Sequence, residues 1–436
     1  MPDTEKLTLF WFRRDLRLED NAGLFRALSD EFPVQPIFIF DTRILEELPE
    51  KDARVEFIHQ EILRLDQELR DRGSCLDVRY GNPVEVWKDL VSEYSVGRVY
   101  TNRDYEPYAR DRDKAIYDFL QDQGISFIGC KDQVIFEKDQ VVKKDGLPYT
   151  VYTPYSRIWK ANLNENSFTS FDSENQKNWH KAAPKEIPSL SQMGFAPAGI
   201  PFPSREVNTS IIRNYHNTRD LPWKQGTTRL SIHLRFGTIS IRKLAAIAQE
   251  TNEKYFNELI WREFYAAILW HFPEVVDHNF SRKYDRVEWR NNEEEFEKWC
   301  KGKTGYPIVD AGMRELNSTG YMHNRVRMIV SSFMTKHLLI DWRWGEAYFA
   351  KKLLDFDLAS NNGGWQWAAG TGVDAAPYFR VFNPYTQADK FDKNRDYIKR
   401  FVPEFGTTDY PEPIVEHKMA RERALETYKS GLEKIS

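Results

Sequence analysis

The stretch LTLFWF, at residues 7–12, is a run of apolar and β-branched residues without a charged position. Such a run is typical of a strand that is buried on both faces of a parallel sheet. Similar short runs recur along the first third of the chain, as PIFIF (36–40), LDVRY (76–80), RVYTN (98–102) and ISFIGC (125–130). The first 130 residues therefore contain five candidate strands.

Helical patterns lie between these candidate strands. One is an apolar stripe at three- and four-residue spacing, formed by Val55, Ile58, Ile62, Leu65 and Leu69. In GNPVEVW (81–87), Asn82 is suited to cap a helix and Pro83 to begin it. Alternating strands and helices predict a Rossmann-like α/β domain with a parallel sheet, whose ligands would bind at the carboxyl ends of the strands. No GxGxxG, GxxxxGKS or GxxxxGKT motif follows the first strand, so neither standard phosphate-binding loop is predicted.

The chain is 436 residues long, which exceeds the size at which a single core usually keeps growing. We predict an α/β domain over residues 1–130, an interdomain linker over 131–205 and an all-α domain over 206–436. The linker is rich in Lys, Asn, Ser and Pro and has no sustained period, so we expect a long connector that lies over the surface. Nine of the 13 tryptophans follow residue 220, and a large aromatic core is the simplest explanation for them.

Composition excludes several classes of protein. The apolar fraction of 41% and the charged fraction of 29% are those of an ordinary globular protein. Cys75, Cys130 and Cys300 are widely spaced, which fits neither a disulfide framework nor a metal site and indicates a reducing compartment. We find no secretion signal and no segment of membrane-spanning length, so a cytoplasmic protein is expected. The net charge of −4 argues against a generally basic nucleic-acid coat but is compatible with a local basic groove.

Polar residues cluster at three places in the predicted helical domain. At the first, Gly226 is followed by the hydroxyls of Thr227, Thr228 and Ser231. Hydroxyls and backbone amides at the start of a helix can bind a phosphate or pyrophosphate. Taken alone, these residues are more simply explained by ordinary helix capping.

The second place is NELIWREFYAAILWHF (257–272). Here Glu258, Arg262 and Tyr265 share one side of a predicted helix, with Trp261 beside them. An ion pair on the surface between Glu258 and Arg262 is the ordinary explanation.

The third place is GYMHNRVRMIVSSF (320–333), a predicted helix. One of its turns holds polar and thioether side chains that suit a planar heteroaromatic ligand, namely Asn324, Arg325, Arg327 and Met328. Farther along, Asp355 and Asp357 are suited to hold ribose or ribityl hydroxyls, or to pair with Arg327.

The motifs, taken together and in order, resemble those of the photolyase and cryptochrome family. They are TLFWFRRDLRLEDN (8–21), GTTRLS (226–231), ELIWREFY (258–265), GKTGYPIVDAGMRELNSTGYMHNRVRM (302–328) and DFDLASNNGGWQWAAGTGVDAAPYFRVFNP (355–384). Within the family they are most similar to the class I photolyases, which repair cyclobutane pyrimidine dimers. The resemblance implies an N-terminal α/β antenna domain, a linker and an all-α domain that binds a U-shaped FAD.

The resemblance also assigns cofactor-binding residues. Those expected at the flavin phosphates or adjoining groups are Tyr215, Thr227, Thr228, Leu230 and Ser231. Those expected along the isoalloxazine and the ribityl chain are Arg327, Asp355, Asp357 and Asn361, and Arg262 is placed beside the same cofactor.

Substrate contacts and an electron relay are implied in the same way. The residues expected to meet a flipped-out dimer are Glu258, Trp261, Asn324, Arg325, Met328 and Trp367. Glu258 would hydrogen-bond the pyrimidine edge or share a proton with the radical anion of the dimer. Candidates for phosphate contacts are Arg219, Arg325 and Arg380, for which a solvated surface arginine is the ordinary alternative. Trp365, Trp342 and Trp289 match three tryptophans that carry an electron from the surface to the flavin.

Several positions separate this chain from other branches of the family. Plant cryptochromes have an acid at the position of Asn361, and (6-4) photolyases have further histidines in the turn that here holds only His323. The DASH group lacks the WQW run (365–367) that this chain retains. In DYEPYARDR, Tyr108 and Ala109 replace the Asn-Glu pair by which some relatives hold a folate. A folate antenna is therefore not expected, whereas a deazaflavin, a second flavin such as FMN, and no antenna remain open.

The run ASNNGGWQWAAGTGV (359–373) contains two tryptophans separated by one residue. If the run is helical, Asn361 and Trp365 face the same way, whereas Trp365 and Trp367 point to nearly opposite sides. Paired glycines at 363 and 364 would leave room for a bulky ligand near the backbone. We infer that one indole joins the electron relay and that the other forms a wall of the substrate cavity.

These observations predict a flavoenzyme that uses blue light to repair cyclobutane pyrimidine dimers by electron transfer from excited reduced FAD. Its partner would be damaged DNA, with no metal, no membrane and a monomeric state. A blue-light sensor of the cryptochrome type is the main alternative, and it is disfavoured by Asn361 and by the absence of a long extension beyond GLEKIS (431–436). A flavoprotein that binds single-stranded nucleic acid without chemistry is the third possibility.

Overall fold

The structure is a computed structural model that describes residues 5–433. The chain divides into two compact units. The first unit contains residues 5–137, 163–207 and 229–247, and the second contains 138–162, 208–228 and 248–433. The domain boundaries at residues 130 and 205 stay a prediction.

The first unit is built on a five-stranded parallel sheet with the order β3-β2-β1-β4-β5. Its strands are β1 Leu7–Phe12, β2 Val34–Asp41, β3 Asp77–Gly81, β4 Val96–Asn102 and β5 Ser126–Cys130. All five predicted strands are confirmed, and every residue of the central strand β1 is buried. The direction of the strand order changes between β1 and β4, where α/β sheets usually bind ligands.

Five helices accompany these strands along the chain, at α1 Ala22–Leu28, α2 Thr42–Leu45, α3 Ala53–Arg70, α4 Pro83–Glu93 and α5 Pro107–Asp122. The apolar stripe predicted for α3 is buried except at the half-buried Ile58. Pro83 begins α4, and the Asn82 side chain accepts a hydrogen bond from the Val84 amide at 3.0 Å. The capping prediction is therefore confirmed.

Helices supply nearly all the regular structure of the described chain after residue 131. They are α6 Tyr152–Ala161, α7 Thr209–Thr218, α8 Ser231–Phe236, α9 Ile241–Thr251, α10 Glu253–His271, α11 Glu293–Cys300, α12 Pro307–Thr319, α13 Asn324–Ser332, α14 Trp342–Lys352, α15 Leu358–Ala369, α16 Pro384–Phe391, α17 Asp396–Phe401 and α18 His417–Glu433. A π-helical turn at Phe333–His337 follows α13 directly. The prediction of a helical region from residue 206 onward is confirmed.

One helix, α6, lies in the stretch that the sequence indicated to be a connector without a period. It buries only Tyr155 and Trp159, which are four residues apart. The Trp159 indole Nε1 donates a hydrogen bond to the Glu263 carboxylate on α10 at 2.6 Å. Two buried positions are too few to stand out as a period in a sequence, which explains why this helix was missed.

The second unit has a core rich in large aromatic and aliphatic side chains. Trp299, Trp342 and Trp365 belong to it, and Trp289 packs against its edge. Within residues 5–433, no helix is long and apolar enough to cross a membrane. The same residues contain no cluster of three or more His, Cys, Asp or Glu side chains that could hold a metal ion.

Candidate functional site

Helix α15 lies at the centre of the candidate site, and Asp357 caps its start. The Asp357 carboxylate accepts a hydrogen bond from the Ser360 amide at 3.0 Å, so it serves here as a helix cap. Asn361 and Trp365 are buried, whereas Trp367 is half-buried and Gly364 is exposed. The expectation that the two indoles point to different sides of one helix is therefore confirmed.

The buried side of α15 is closely packed. The Trp365 ring lies edge-on to Phe349 with the ring centroids 4.9 Å apart. A Cβ atom added at Gly345 would lie 2.1 Å from the Trp365 ring, so only glycine fits there. The Asn361 amide donates to the Glu346 side chain at 3.0 Å and to the Glu346 carbonyl at 3.1 Å. Burial raises the pKa of Glu346 above its ordinary value.

The two glycines of α15 have different surroundings. A Cβ atom at Gly363 would lie 2.2 Å from the Tyr265 ring on α10, so this glycine allows the two helices to approach. At Gly364, a Cβ atom would meet no other atom within 4 Å. The expectation of space for a ligand is therefore wrong for Gly363, because a protein side chain fills that space, and it stays a prediction for Gly364.

Helix α10 supplies the residues that face α7. Arg219, the C-terminal cap of α7, forms an ion pair with Glu258. Burial raises the pKa of Glu258, while the Arg219 guanidinium acts in the opposite direction. The four-residue spacing suggested that Glu258 pairs with Arg262, and this is wrong. Glu258 pairs instead with Arg219, which is 39 residues away. Arg262 lies on the same helix and is half-buried.

Hydroxyl groups connect Thr227 and Thr228 to two other parts of the second unit. The Thr227 hydroxyl is 3.1 Å from the Tyr321 hydroxyl, and the Thr228 hydroxyl is 2.9 Å from that of Tyr255 on α10. The Tyr215 ring on α7 lies edge-on to Tyr255 at 5.1 Å.

Leu230 and Ser231, the other two predicted phosphate-binding residues, belong to the first unit. There Leu230 is buried, and the exposed Ser231 begins the six-residue helix α8. The predicted helix start at these residues is confirmed.

Helix α13 carries a row of polar residues, as its sequence predicted. The Arg327 guanidinium forms an ion pair with both oxygens of Asp355 at 3.0 Å, which is one of the two roles expected of Asp355. Arg325 pairs with Asp220 at 2.7 Å and also lies 4.3 Å from the centre of the Phe391 ring. This arginine is therefore held in place by two contacts.

Three further candidates lie on or near these elements. Asn324 begins α13 and is exposed, and the Met328 sulfur is 3.7 Å from a guanidinium nitrogen of Arg325. Arg380 is exposed in the loop after α15, with its guanidinium 5.5 Å from the Phe382 ring.

The three tryptophans of the expected relay differ in burial. Trp365 and Trp342 are both buried, and the Trp342 Nε1 donates to the Asn279 side chain at 2.8 Å. Trp289 is half-buried and lines a surface pocket of about 360 Å³ together with Asn279 and several charged residues. Of the three indoles, only that of Trp289, the outermost in the expected relay, is accessible.

At the carboxyl end of the sheet in the first unit, side chains bond to one another. The Tyr108 hydroxyl donates to the Asp41 carboxylate at 2.6 Å, and Ala109 is buried. The guanidinium groups of Arg13 and Arg112 each lie 4.9 Å from the centre of the Trp11 ring. The Tyr108 hydroxyl is therefore engaged by the protein itself, and the absence of a folate stays a prediction.

Sequence reasoning missed several residues of the site. They are Tyr152, Asp220, Tyr255, Tyr321, Gly345 and Glu346, all of which contact predicted residues. Most of these partners are far apart in the sequence, and no local spacing links them. The aromatic density of TVYTPYSR (150–157) was the one signal that could have indicated Tyr152.

Comparison with known proteins matches the chain in two parts. Residues 8–174 match the DNA photolyase family, and residues 255–408 match the FAD-binding domain of DNA photolyase. The predicted FAD cofactor is thereby confirmed, and the second chromophore stays open.

Curated and solved proteins agree with these matches. A deoxyribodipyrimidine photo-lyase of Halobacterium salinarum is 38% identical, over 96% of this chain and 98% of that protein. A bacterial class III photolyase from Agrobacterium tumefaciens has a TM-score of 0.89 at 35% identity, over 99% of both chains. An archaeal photolyase from Sulfolobus tokodaii, solved with two FAD molecules that imply a novel light-harvesting cofactor, has a TM-score of 0.83 at 36% identity. That match covers 97% of this chain and 100% of the archaeal one.

Proposed function

Because this chain belongs to the DNA photolyase family, we propose that it is a deoxyribodipyrimidine photo-lyase that splits cyclobutane pyrimidine dimers by blue-light-driven electron transfer. One observation carries this proposal. Helix α15 has a buried indole, Trp365, on one side and an accessible indole, Trp367, on another. A repair enzyme of this kind needs both a protected electron path and an open surface that receives the lesion. The choice of class I within the family stays a prediction.

The residues present fit FAD. Gly364 leaves its side of α15 open, and the hydroxyls of Thr227 and Thr228 suit the phosphates. The Arg327–Asp355 pair offers a fixed guanidinium to the polar edge of a flavin, and Asn361 is held by Glu346. Bound there, reduced FAD would supply light-driven one-electron transfer to and from the lesion.

The role of the chain in repair is to hold the lesion outside the duplex. Photolyases are among the enzymes that take their target out of the base stack, at a cost of a few kcal/mol. Stacking on an aromatic side chain returns about 1–3 kcal/mol per base. Trp261 and Trp367 are the proposed walls, on helices α10 and α15, which pack against each other where Tyr265 covers Gly363.

Glu258 is proposed to bind the edge of the pyrimidine. It lies one turn from Trp261 on α10, and its burial raises the pKa of the carboxyl group. A carboxyl group whose pKa is raised can share a proton with a base edge more readily than an exposed one. Arg219 holds this side chain, so we assign Arg219 to orienting Glu258 as well as to the phosphate contact. Arg325 and Arg380 are the other proposed phosphate contacts.

The proposed path by which an electron reduces the oxidised cofactor runs from Trp289 through Trp342 to Trp365. All three indoles lie in or against one aromatic core, and Trp289 reaches the surface at a pocket. An external electron donor would therefore react at Trp289. The monomeric state and the cytoplasmic location stay predictions.

The test of the proposed function is the recovery of absorbance at 260 nm by thymine oligomers that contain cyclobutane dimers. The protein is reconstituted with FAD, reduced with dithionite and illuminated with blue light, with a sample kept in darkness as the control. We expect recovery under light only. A light sensor would bind FAD and give no recovery of absorbance in either sample. A flavoprotein that only binds nucleic acid would give no recovery either, and it would bind damaged and undamaged strands equally.

A further inference from the structure

Tyr152, the first residue of α6, lies flat on the indole of Trp261. The two ring centroids are 3.7 Å apart and the ring planes differ by 5°. This centroid distance leaves almost no lateral offset, whereas aromatic pairs usually prefer an offset or an edge-to-face arrangement. The other rings around Trp261 follow the usual preference, since Phe264 is edge-on and Tyr265 is tilted. Other contacts must therefore hold Tyr152 in this position.

Two hydrogen bonds hold it. The Tyr152 hydroxyl donates to the Asn257 carbonyl at 2.9 Å, and Asn257 precedes Trp261 by one turn of α10. The Tyr152 backbone amide donates to the Asp374 carboxylate at 3.3 Å, in the loop that follows α15. Burial raises the pKa of the Tyr152 hydroxyl above its ordinary value, so it stays a donor at working pH.

Anchoring of the helix itself does not require Tyr152. Helix α6 docks on α10 through its two buried residues, with Tyr155 at 5.1 Å from the Phe264 ring and Trp159 bonded to Glu263. Tyr152 is only half-buried and lies between the exposed Val151 and Thr153. Its closest ring contact is with Trp261, while the Phe264 ring lies edge-on at 5.9 Å.

We propose that Tyr152 is a positioning residue that fixes the Trp261 indole and leaves only the opposite indole face for a flipped-out pyrimidine. A ring clamped on one face cannot turn away when the lesion is absent, so binding loses less side-chain freedom. This inference rests on the proposed function, because it needs Trp261 to be a wall of the lesion site.

The test compares three substitutions at this position in FAD-loaded protein. Tyr152→Phe keeps the aromatic ring but loses the hydrogen bond to Asn257. Tyr152→Leu keeps apolar bulk but has no flat face, and Tyr152→Ala removes the ring, its bulk and the hydrogen bond. Thr153→Ala, at the exposed neighbouring position, is the matched control. Dissociation constants are measured for a duplex with one cyclobutane dimer and for the same duplex undamaged, at one salt concentration, together with FAD content.

We expect Tyr152→Ala and Tyr152→Leu to weaken binding of the damaged duplex by roughly 2- to 12-fold, the range of one aromatic pair, and to leave the undamaged duplex unaffected. Tyr152→Phe, which keeps the ring, should retain most of the affinity for the damaged duplex. Thr153→Ala should bind it as the wild type does. Repair at saturating DNA by pre-reduced protein should change little. In a Trp261→Ala background, the Tyr152→Leu effect should vanish, because Tyr152 acts through that indole.

An unchanged preference for the damaged duplex in both Tyr152→Leu and Tyr152→Ala would overturn the inference, and so would an effect that persists without Trp261. A loss of FAD in all three Tyr152 variants would also overturn it and would assign Tyr152 to packing. A wild-type protein that shows no preference for damaged DNA would instead refute the proposed function itself.

Discussion

Two sides of helix α15 differ in what surrounds them. The closed face, defined by Asn361 and Trp365, is buried, and Gly345 and Glu346 pack closely against it. The open face, defined by Gly364 and Trp367, is accessible, and a side chain added at Gly364 would meet no atom within 4 Å. One helix of 12 residues therefore presents a closely packed surface and an accessible one.

The difference indicates how two tasks can share one element. Electron transfer through tryptophans depends on fixed positions, which close packing provides. Lesion binding needs space and an accessible aromatic face. We therefore expect substitutions on the closed face to impair photoreduction or folding, and substitutions on the open face to impair recognition.

The largest effect is expected for Trp365→Phe. Phenylalanine fills most of the same space against Phe349, but it is far harder to oxidise than an indole. Photoreduction of oxidised flavin in the presence of an external donor should be nearly lost, and Trp289→Phe should slow it as well. The rate is followed by flavin absorbance under blue light.

Repair by dithionite-reduced protein is the control for both relay variants, because a pre-reduced cofactor does not need the relay. This repair should remain close to that of the wild type. If repair and photoreduction fell together in Trp289→Phe, Trp289 would be a structural residue and the relay would need another path.

Gly345→Ala should have the next largest effect. The added Cβ atom would lie 2.1 Å from the Trp365 ring, and both residues are buried. Overpacking of this kind costs about 1–3 kcal/mol of the free energy of unfolding. Gly364→Ala, on the open face, is the matched control and should keep or raise stability by roughly 0.5–1 kcal/mol, as measured on FAD-free protein by urea unfolding. Equal losses in the two variants would contradict the distinction between the faces.

A further effect, which depends on pH, is expected at the end of α15. The Lys336 ammonium donates to the carbonyl of Ala369, the last residue of the helix, at 2.7 Å, and burial lowers the pKa of Lys336 to about 7. Between that value and the ordinary pKa of about 10.4, the unfolded chain binds more protons than the folded one. The contribution of Lys336 to stability is therefore complete at high pH and decreases as pH falls toward 7.

Lys336→Met should remove this dependence. In the wild type, Lys336 adds a slope of up to about 1.4 kcal/mol per pH unit to the free energy of unfolding between pH 7 and 10. The slope should be flatter in Lys336→Met, and it should not change in the exposed control Lys351→Met. Urea unfolding at pH 7, 8 and 9 measures all three proteins. Parallel curves for the wild type and Lys336→Met would show that Lys336 keeps its proton in the folded protein.

The sequence predicted the elements of both units well because their signals are local. The apolar run of β1 and the stripe of α3 are visible within one short window. The opposite directions of Trp365 and Trp367 also follow from helical spacing alone, once the segment is taken to be a helix. The family resemblance added the roles of these residues, which no periodicity encodes.

The partners of these residues could not be predicted in the same way. Glu258 pairs with Arg219 across 39 residues, and Trp261 stacks on Tyr152 from a different helix. Gly345 looks like an unfavourable residue inside α14 until the Trp365 ring is seen against it. Such contacts depend on how helices pack. Contacts between segments that are far apart in the chain produce no periodic pattern in the sequence.

The most direct test of the account is the binding of a duplex with one cyclobutane dimer by FAD-loaded Trp367→Ala, compared with the wild type and Trp365→Phe at one salt concentration. We predict that Trp367→Ala weakens binding by about 1–3 kcal/mol, roughly 5- to 150-fold, with FAD content and photoreduction retained. Trp365→Phe should bind the lesion as the wild type does. Equal loss of lesion affinity and of FAD in both variants would contradict the division between the two faces of α15.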